Sequence, residues 1–371
     1  MGNWFYVIIK QAMEKQFRII TESEFKSFTE QCPSKNYMQS LDMYKRYQAI
    51  GRESYLVGLV KNDVVLVAGI VSVIYERLGQ KIFTFSRGPI ANYANIDDFL
   101  LFLDECRKFL KTKHGIILQI SPSLLSPDAP EDFDVILKKH GFKNLGEYEQ
   151  VKWTYALDFA KIENLPFVEP ASSKSSVLDP PISKEAEQIL MHSFRRDHRY
   201  TIRYATERYD IRLRELPVAE YPILLDMIQE SGKVHGFVPR EQKFFEQLKQ
   251  YFGSDVAAIV AELPDGTPIA AAFFILYGNE VIYLSSGFRR DYKKLGAPHL
   301  IQWAMIKYAY ANGFKKYNFW GTNPDPENGV FKFKQGFHGE IEEFVGTYAT
   351  AINSVGKVYL RKLHYAKQRD L

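Results

Sequence analysis

One order of strand and helix signals runs through this chain twice, and that repetition limits the folds open to it. In the first half, Ser54 to Val60 and Asp63 to Tyr75 read as β-branched strands around the turn Lys61-Asn62-Asp63, and Lys81 to Arg87 reads as a third strand. A helix is expected over Asp97 to Thr112, where Phe99, Leu100, Phe102, Leu103, Cys106, Phe109 and Leu110 recur at helical spacing. Gly115 to Ile120 then closes the unit as a strand. In the second half, Val256 to Glu262, the turn Pro264-Asp265-Gly266, Pro268 to Leu276 and Glu280 to Ser286 repeat the three strands. Pro298 to Asn312 repeats the helix, with Leu300, Ile301, Ala304, Met305 and Tyr308 on one face and Gly313 at its end, and Lys316 to Trp320 supplies the last strand. Two such copies predict a duplicated α+β domain.

At 371 residues and 46% hydrophobic content the chain is long enough for two cores. The segment Leu165 to Ile182, rich in Pro and Ser, reads as a loop or linker between the copies, and no sustained heptad pattern predicts a long coiled-coil insertion. The apolar run near the N-terminus is shorter than the ~20 residues of a spanning helix and lacks the cleavage site of a secretory signal. Residues 1 to 12 therefore read as an irregular extension ahead of Met13. Cys32 and Cys106 have no partner spacing and no histidine cluster nearby, which argues against a disulfide framework or a zinc site and fits a reducing cytoplasm.

A net charge of +4 is too mild to identify a nucleic-acid-binding protein, so local clusters matter more than the total. The run Gly329-Val330-Phe331-Lys332-Phe333-Lys334-Gln335-Gly336-Phe337-His338-Gly339 alternates lysine with phenylalanine. Read as a strand, it sends Lys332 and Lys334 to one face and Phe331 and Phe333 to the other. It would then serve an anionic or developing-anionic ligand, or simply form a solvated strand face. His338 has two readings also, an acid or base, or a structural residue beside glycine.

From Phe194 to Ala205 a basic helix is expected, with Arg196, Arg199 and Arg203 on one face beside Tyr200 and Tyr204. Guanidinium and aromatic groups suit phosphates and unstacked bases, while the plainer reading is a solvated cationic face. No Walker loop, dinucleotide fingerprint or recognisable nucleophile context occurs, so no ATP, NAD or other cofactor is expected, and any acyl substrate must arrive already activated.

Read in order, these residues resemble the Fem family of aminoacyl-tRNA-dependent peptidyltransferases, which build the interpeptide bridge of Gram-positive peptidoglycan. The resemblance runs from about Met13 through nearly the whole chain. It rests on Tyr37-Met38-Gln39-Ser40 with Lys45 soon after, Ser86-Arg87-Gly88-Pro89, the Arg199 to Ala205 helix, Pro239-Arg240, Tyr283 and Ala297-Pro298. Above all it rests on Asn318-Phe319-Trp320-Gly321 and Phe333-Lys334-Gln335-Gly336-Phe337. It implies two tandem GNAT-like domains, each a mixed sheet flanked by helices. The boundaries expected are residues 13–160 with 348–371 for domain 1 and 161–347 for domain 2.

The resemblance further implies transfer of an amino acid of the Ala, Ser or Gly class from aminoacyl-tRNA. The acceptor would be the stem-peptide lysine of a UDP-linked or lipid-linked muramyl-pentapeptide. By the same resemblance Lys334 would face the aminoacyl ester as the catalytic residue. Lys45 and Arg240 would contact the diphosphate-sugar end of the precursor, and Tyr283 and Phe333 would line the substrate channel. Arg196, Arg199 and Arg203 are the candidate contacts to tRNA phosphates, no metal is expected, and a cytoplasmic monomer visiting the inner membrane leaflet is the expected setting.

Three positions depart from the family pattern. Ser121-Pro122 stands where an aspartate is common, Asn318 where relatives usually carry Asp, and Trp320 where they usually carry Gly. Two other readings compete: a CoA-dependent N-acyltransferase, whose Gly-rich pyrophosphate loop is missing between Arg289 and Pro298, and a non-catalytic RNA- or precursor-binding protein.

Overall fold

In a computed structural model the chain is described over residues 15–32, 35–170, 174–235 and 238–369, side chains at 234, 235 and 362–369 excepted. The N-terminal extension of residues 1–12 lies outside the described residues. The chain divides into two compact units, Met1–Lys152 with Glu343–Leu371, and Trp153–Glu342.

Unit 1 is built on a mixed eight-stranded sheet. Its main path runs Gln16–Ile19, Ser54–Lys61, Val64–Arg77, Gln80–Phe85, Gly115–Ile120, Thr347–Ala351 and Lys143–Gly146, and the short strand Ile90–Ala91 pairs with Val64–Arg77. Neighbours are antiparallel except Gln80–Phe85 and Gly115–Ile120, whose parallel pairing places Phe83 beside Leu118. A parallel pair needs a crossover, and the helix Ile96–Thr112 supplies it, burying Phe99, Phe102, Leu103, Cys106 and Leu110 against the sheet.

Unit 2 repeats this plan in a seven-stranded sheet ordered Glu340–Glu343, Trp153–Asp158, Lys316–Gly321, Glu280–Phe288, Pro268–Tyr277, Val256–Glu262 and Arg212–Glu215. Its parallel pair is Glu280–Phe288 with Lys316–Gly321, and the crossover is the helix Ala297–Ala311, with Pro298 in its first turn. Leu300, Ile301, Ala304, Met305 and Tyr308 are all buried, as their spacing predicts. Both copies of the repeat therefore fold as read from the sequence.

The unit boundaries fall at 152/153 and 342/343, where the sequence suggested 160/161 and 347/348. The strand Trp153–Asp158 accounts for the first difference, because it pairs with Lys316–Gly321 inside unit 2. The segment expected as a linker between the copies also belongs to unit 2. Its described residues are tied to the end of the crossover helix: the Tyr310 hydroxyl donates to the Pro166 carbonyl at 2.7 Å, and the Ser175 amide donates to Asn312 Oδ1 at 2.9 Å.

Two irregularities prepare a cavity in unit 2. The parallel strands pair only from Glu280↔Lys316 to Ile282↔Asn318, and beyond that they part. On the other side of Glu280–Phe288, Phe274 faces Tyr283 while Phe273 faces Ser285, so Leu284 is an extra residue that bends the strand. A cavity of about 670 Å³ lies where the strands part, bordered by Tyr283 to Phe288 and by Phe319, Trp320 and Gly321.

Candidate functional site

The expected lysine strand is a helix. Gly329–Gln335 begins at Asn328, whose Oδ1 accepts from the amides of Val330 at 2.9 Å and Phe331 at 3.1 Å. A helix turns about 100° per residue, so residues two apart point to opposite sides and residues three apart share a side. Phe331 and Lys334 are therefore buried together, while Lys332 is exposed and 3.3 Å from Glu327. One lysine enters the protein instead of two leaving it side by side.

Lys334 is 4% exposed and borders the cavity. Its Nζ donates to the main-chain carbonyls of Gly321 and Trp320, the latter at 3.3 Å. Among the described residues no carboxylate is bonded to it, and burial pulls its pKa down to about 7. It is thus a cation held by neutral dipoles, close to the balance between its two protonation states at neutral pH.

The same cavity gathers Arg240, Tyr283 and Phe333, together with Arg290, Lys293, His299, Gln302 and Trp320. Arg240, Arg290 and Lys293 are exposed beside the exposed Val238 and Val330, so the charged groups of the accessible lining are cationic, while Tyr283, Phe319 and Phe333 make an aromatic wall. The Tyr283 hydroxyl donates to the Ser286 hydroxyl, and burial raises its pKa to about 12.

Trp320 has a φ of 61°, a left-handed conformation in which a bulky residue is strained. Its amide donates to Asn318 Oδ1 at 2.8 Å, and Asn318 Nδ2 donates to Glu280 at 2.9 Å. Asn318 thereby joins the two parallel strands at the point where they part.

The remaining sequence candidates lie elsewhere. Lys45, on the helix Leu41–Ala49 of unit 1, is exposed and 3.8 Å from Glu22. Arg196, Arg199 and Arg203 sit on the helix Arg196–Glu207 and do not border the cavity. Arg196 and Arg203 are exposed, and Arg199 donates to the His192 carbonyl at 3.1 Å. Beside them Tyr200, 55% exposed, and Tyr204 have ring centroids 4.4 Å apart. His338 is exposed at a left-handed turn and is not part of the cavity lining. Ser121 is buried, with its hydroxyl 2.9 Å from that of Thr347.

Sequence reasoning passed over His299 and Gln302. They are two polar residues three apart in the mostly apolar first half of the crossover helix, a spacing that puts both on one face. Among the described residues no group of three His, Cys, Asp or Glu side chains is arranged to hold a metal ion, and no helix is long and apolar enough to cross a membrane.

Comparison with known proteins places this geometry in context. A model described as the FemAB family matches residues 20–266 and 263–364. The aminoacyltransferase FemA of Staphylococcus aureus strain N315 is 24% identical over 418 residues, covering 91% of this chain and 96% of that protein. Among solved structures, a crystal structure of FemX superposes with a TM-score of 0.73 at 17% identity, covering 91% of this chain and 97% of that one. A tandem GNAT protein from the clavulanic acid biosynthesis pathway superposes with a TM-score of 0.54 at 8% identity, covering 92% and 99%. These two likenesses show the fold: two GNAT-like mixed sheets flanked by helices.

Proposed function

Because the chain belongs to the FemAB family, we propose that it is an aminoacyltransferase acting in assembly of the peptidoglycan interpeptide bridge. In this reading it moves an amino acid of the Ala, Ser or Gly class from aminoacyl-tRNA to the stem-peptide lysine of a muramyl-pentapeptide, UDP-linked or lipid-linked. The observation that carries the reading is Lys334, a buried cation on carbonyl oxygens in a cavity whose accessible residues include Arg240, Arg290 and Lys293.

The chemistry follows from the charges. Attack of the amine on the ester carbonyl moves an electron pair onto the carbonyl oxygen, and collapse expels the ribose oxygen, which takes up the proton lost by the amine. Lys334, bonded among the described residues only to neutral carbonyls, can stabilise that negative charge; a single donor of this kind contributes about 3 to 4 kcal/mol. Arg240, accessible and stacked over the Phe244 ring at 5.2 Å, binds the phosphate oxygens at the diphosphate-bearing end of the precursor in this reading. Tyr283 and Phe333 form the apolar wall against which the peptide stem lies. The accessible arginines Arg196 and Arg203, beside the exposed Tyr200, form the tRNA-facing surface in this reading.

The test is mass spectrometry of UDP-muramyl-pentapeptide and its lipid-linked form after incubation with the protein and tRNA charged with Ala, Ser or Gly. The expected result is a gain of one amino-acid residue that ribonuclease treatment abolishes. No gain with any pair, while either precursor still binds, overturns the reading.

A further inference from the structure

His299 stands in the first turn of the crossover helix and borders the cavity. Its ring is fixed by aromatic neighbours from two other helices: the centroid of His198 lies 4.6 Å away, edge-on, and that of Phe333 lies 4.9 Å away. Nδ1 is enclosed and has no hydrogen-bond partner among the described residues, so Nε2 is the ring nitrogen left to face open space.

The tautomer follows from the cost of each arrangement. An N–H enclosed without an acceptor loses a full hydrogen bond with water, whereas Nε2–H facing the cavity keeps one available. The lone pair is therefore on Nδ1 and the proton on Nε2. Burial first, and then the neighbouring His198, push the His299 pKa down to about 3, and the positive end of the helix acts in the same direction. His198 and Asp197 of the basic helix act on it electrostatically, and Lys334, Arg290 and Lys293 border the same cavity. The ring is thus a neutral donor and a poor base.

We propose that His299 is a further catalytic residue, donating Nε2–H to the carbonyl oxygen of the acyl group in the cavity that holds Lys334. This deepens, and rests on, the transfer reaction proposed above. The C–N bond forms as the carbonyl electron pair moves to oxygen; the C–O ester bond then breaks, and the amine proton ends on the ribose oxygen. His299 keeps its own proton throughout. Neutral imidazole donors of this kind serve where a positive charge would protonate the intermediate too early.

Two variants and one spectroscopic measurement test it. His299→Phe keeps an aromatic ring in the cluster and removes the donor; it should melt near the wild type yet lose about 100-fold in kcat, with KM for the precursor little changed. His299→Gln restores an N–H donor and should recover to within about tenfold of wild type. In ¹⁵N-histidine NMR, His299 should be neutral and protonated on Nε2 from pH 5 to 8, and a stable aminoacyl-adenosine amide should shift Nε2 while leaving Nδ1 unchanged. Full activity in His299→Phe, a His299→Gln variant as slow as His299→Phe, or a ring that titrates within that range overturns the proposal. A wild-type chain that transfers to no precursor defeats the reaction proposed above, and the NMR response to the amide still decides whether His299 binds an acyl oxygen.

Discussion

The imidazole of His198 fills the space that a side chain on Gly336 would need: a β-carbon there would lie 2.1 Å from the ring. His198 Nε2 donates to the Phe333 carbonyl at 2.8 Å, and the Arg195 amide donates to the Gly336 carbonyl at 2.9 Å. The basic helix is thereby fastened to the short helix that carries Lys334. The two sequence features that looked independent, the arginine run and the lysine run, are one structural arrangement in which His198 positions the turn ahead of the site cation.

Gly336→Ala should therefore destabilise the protein by about 1 to 3 kcal/mol, the usual range for forcing extra carbon into a packed region. Urea denaturation measures this. His198→Ala in the same chain makes room for the methyl group, so the double variant should be more stable than additivity of the two single changes requires. Strict additivity would show that the close approach is relieved by other movement.

Lys334 gives a pH signature in stability. Its folded pKa, about 7, lies below the unfolded value, so between pH 7 and about 10.5 the unfolded chain binds more protons than the folded one. Stability contributed at this site should rise with pH across that window and be constant below it. Lys334→Met should abolish that rise and, in the transfer assay, lower kcat by about 10² to 10³. An unchanged stability profile would mean that the lysine is not desolvated.

Asn318→Asp should be destabilising at neutral pH. It places a second carboxylate next to Glu280 at a position 3% exposed, in place of an amide that donates to that carboxylate at 2.9 Å. The new acid would have a raised pKa, so the loss, about 2 kcal/mol or more, should shrink as pH falls through that value. Glu280→Gln in the same chain should recover most of it at pH 7. Thermal melts across pH 5 to 8 decide the matter.

Trp320→Gly removes a half-buried indole and relieves a left-handed backbone. The strain released, about 1 to 3 kcal/mol, opposes the lost packing and the added freedom of the unfolded chain, so net stability should change little. The cavity should widen, however, and transfer of a bulkier aminoacyl group should gain relative to the smallest one. Competition between two charged tRNAs measures that ratio, and an unchanged ratio would place the indole away from the acyl group.

The repeated strand, strand, strand, helix, strand order was readable because each of those segments buries a regular pattern, as Phe99, Leu103 and Leu110 do in one helix and Leu300, Ile301 and Met305 in the other. The lysine run misled because alternation at Phe331, Lys332, Phe333 and Lys334 is a strand signal only when the segment is long enough to join a sheet. Here Asn328 caps a helix first, and burial of Phe331 with Lys334 fixes its rotation. Of the site, Lys334, Arg240, Tyr283 and Phe333 share one cavity, and Lys45 lies in the other unit. His299 and Gln302 were hidden by their surroundings, since polar residues in a mostly apolar helix acquire meaning only when the strands beside them are seen to part.

The sheet of unit 1 holds the strand Thr347–Ala351 in its interior, between Gly115–Ile120 and Lys143–Gly146, although all of unit 2 precedes that strand in the chain. Translation therefore delivers every residue of unit 2 before unit 1 can close its sheet. Until then Gly115–Ile120, buried along its whole length in the finished unit, presents an open edge of the kind that invites pairing with other chains. The half of the protein made first is the half finished last, which reverses the usual N-terminal-first order of folding during synthesis.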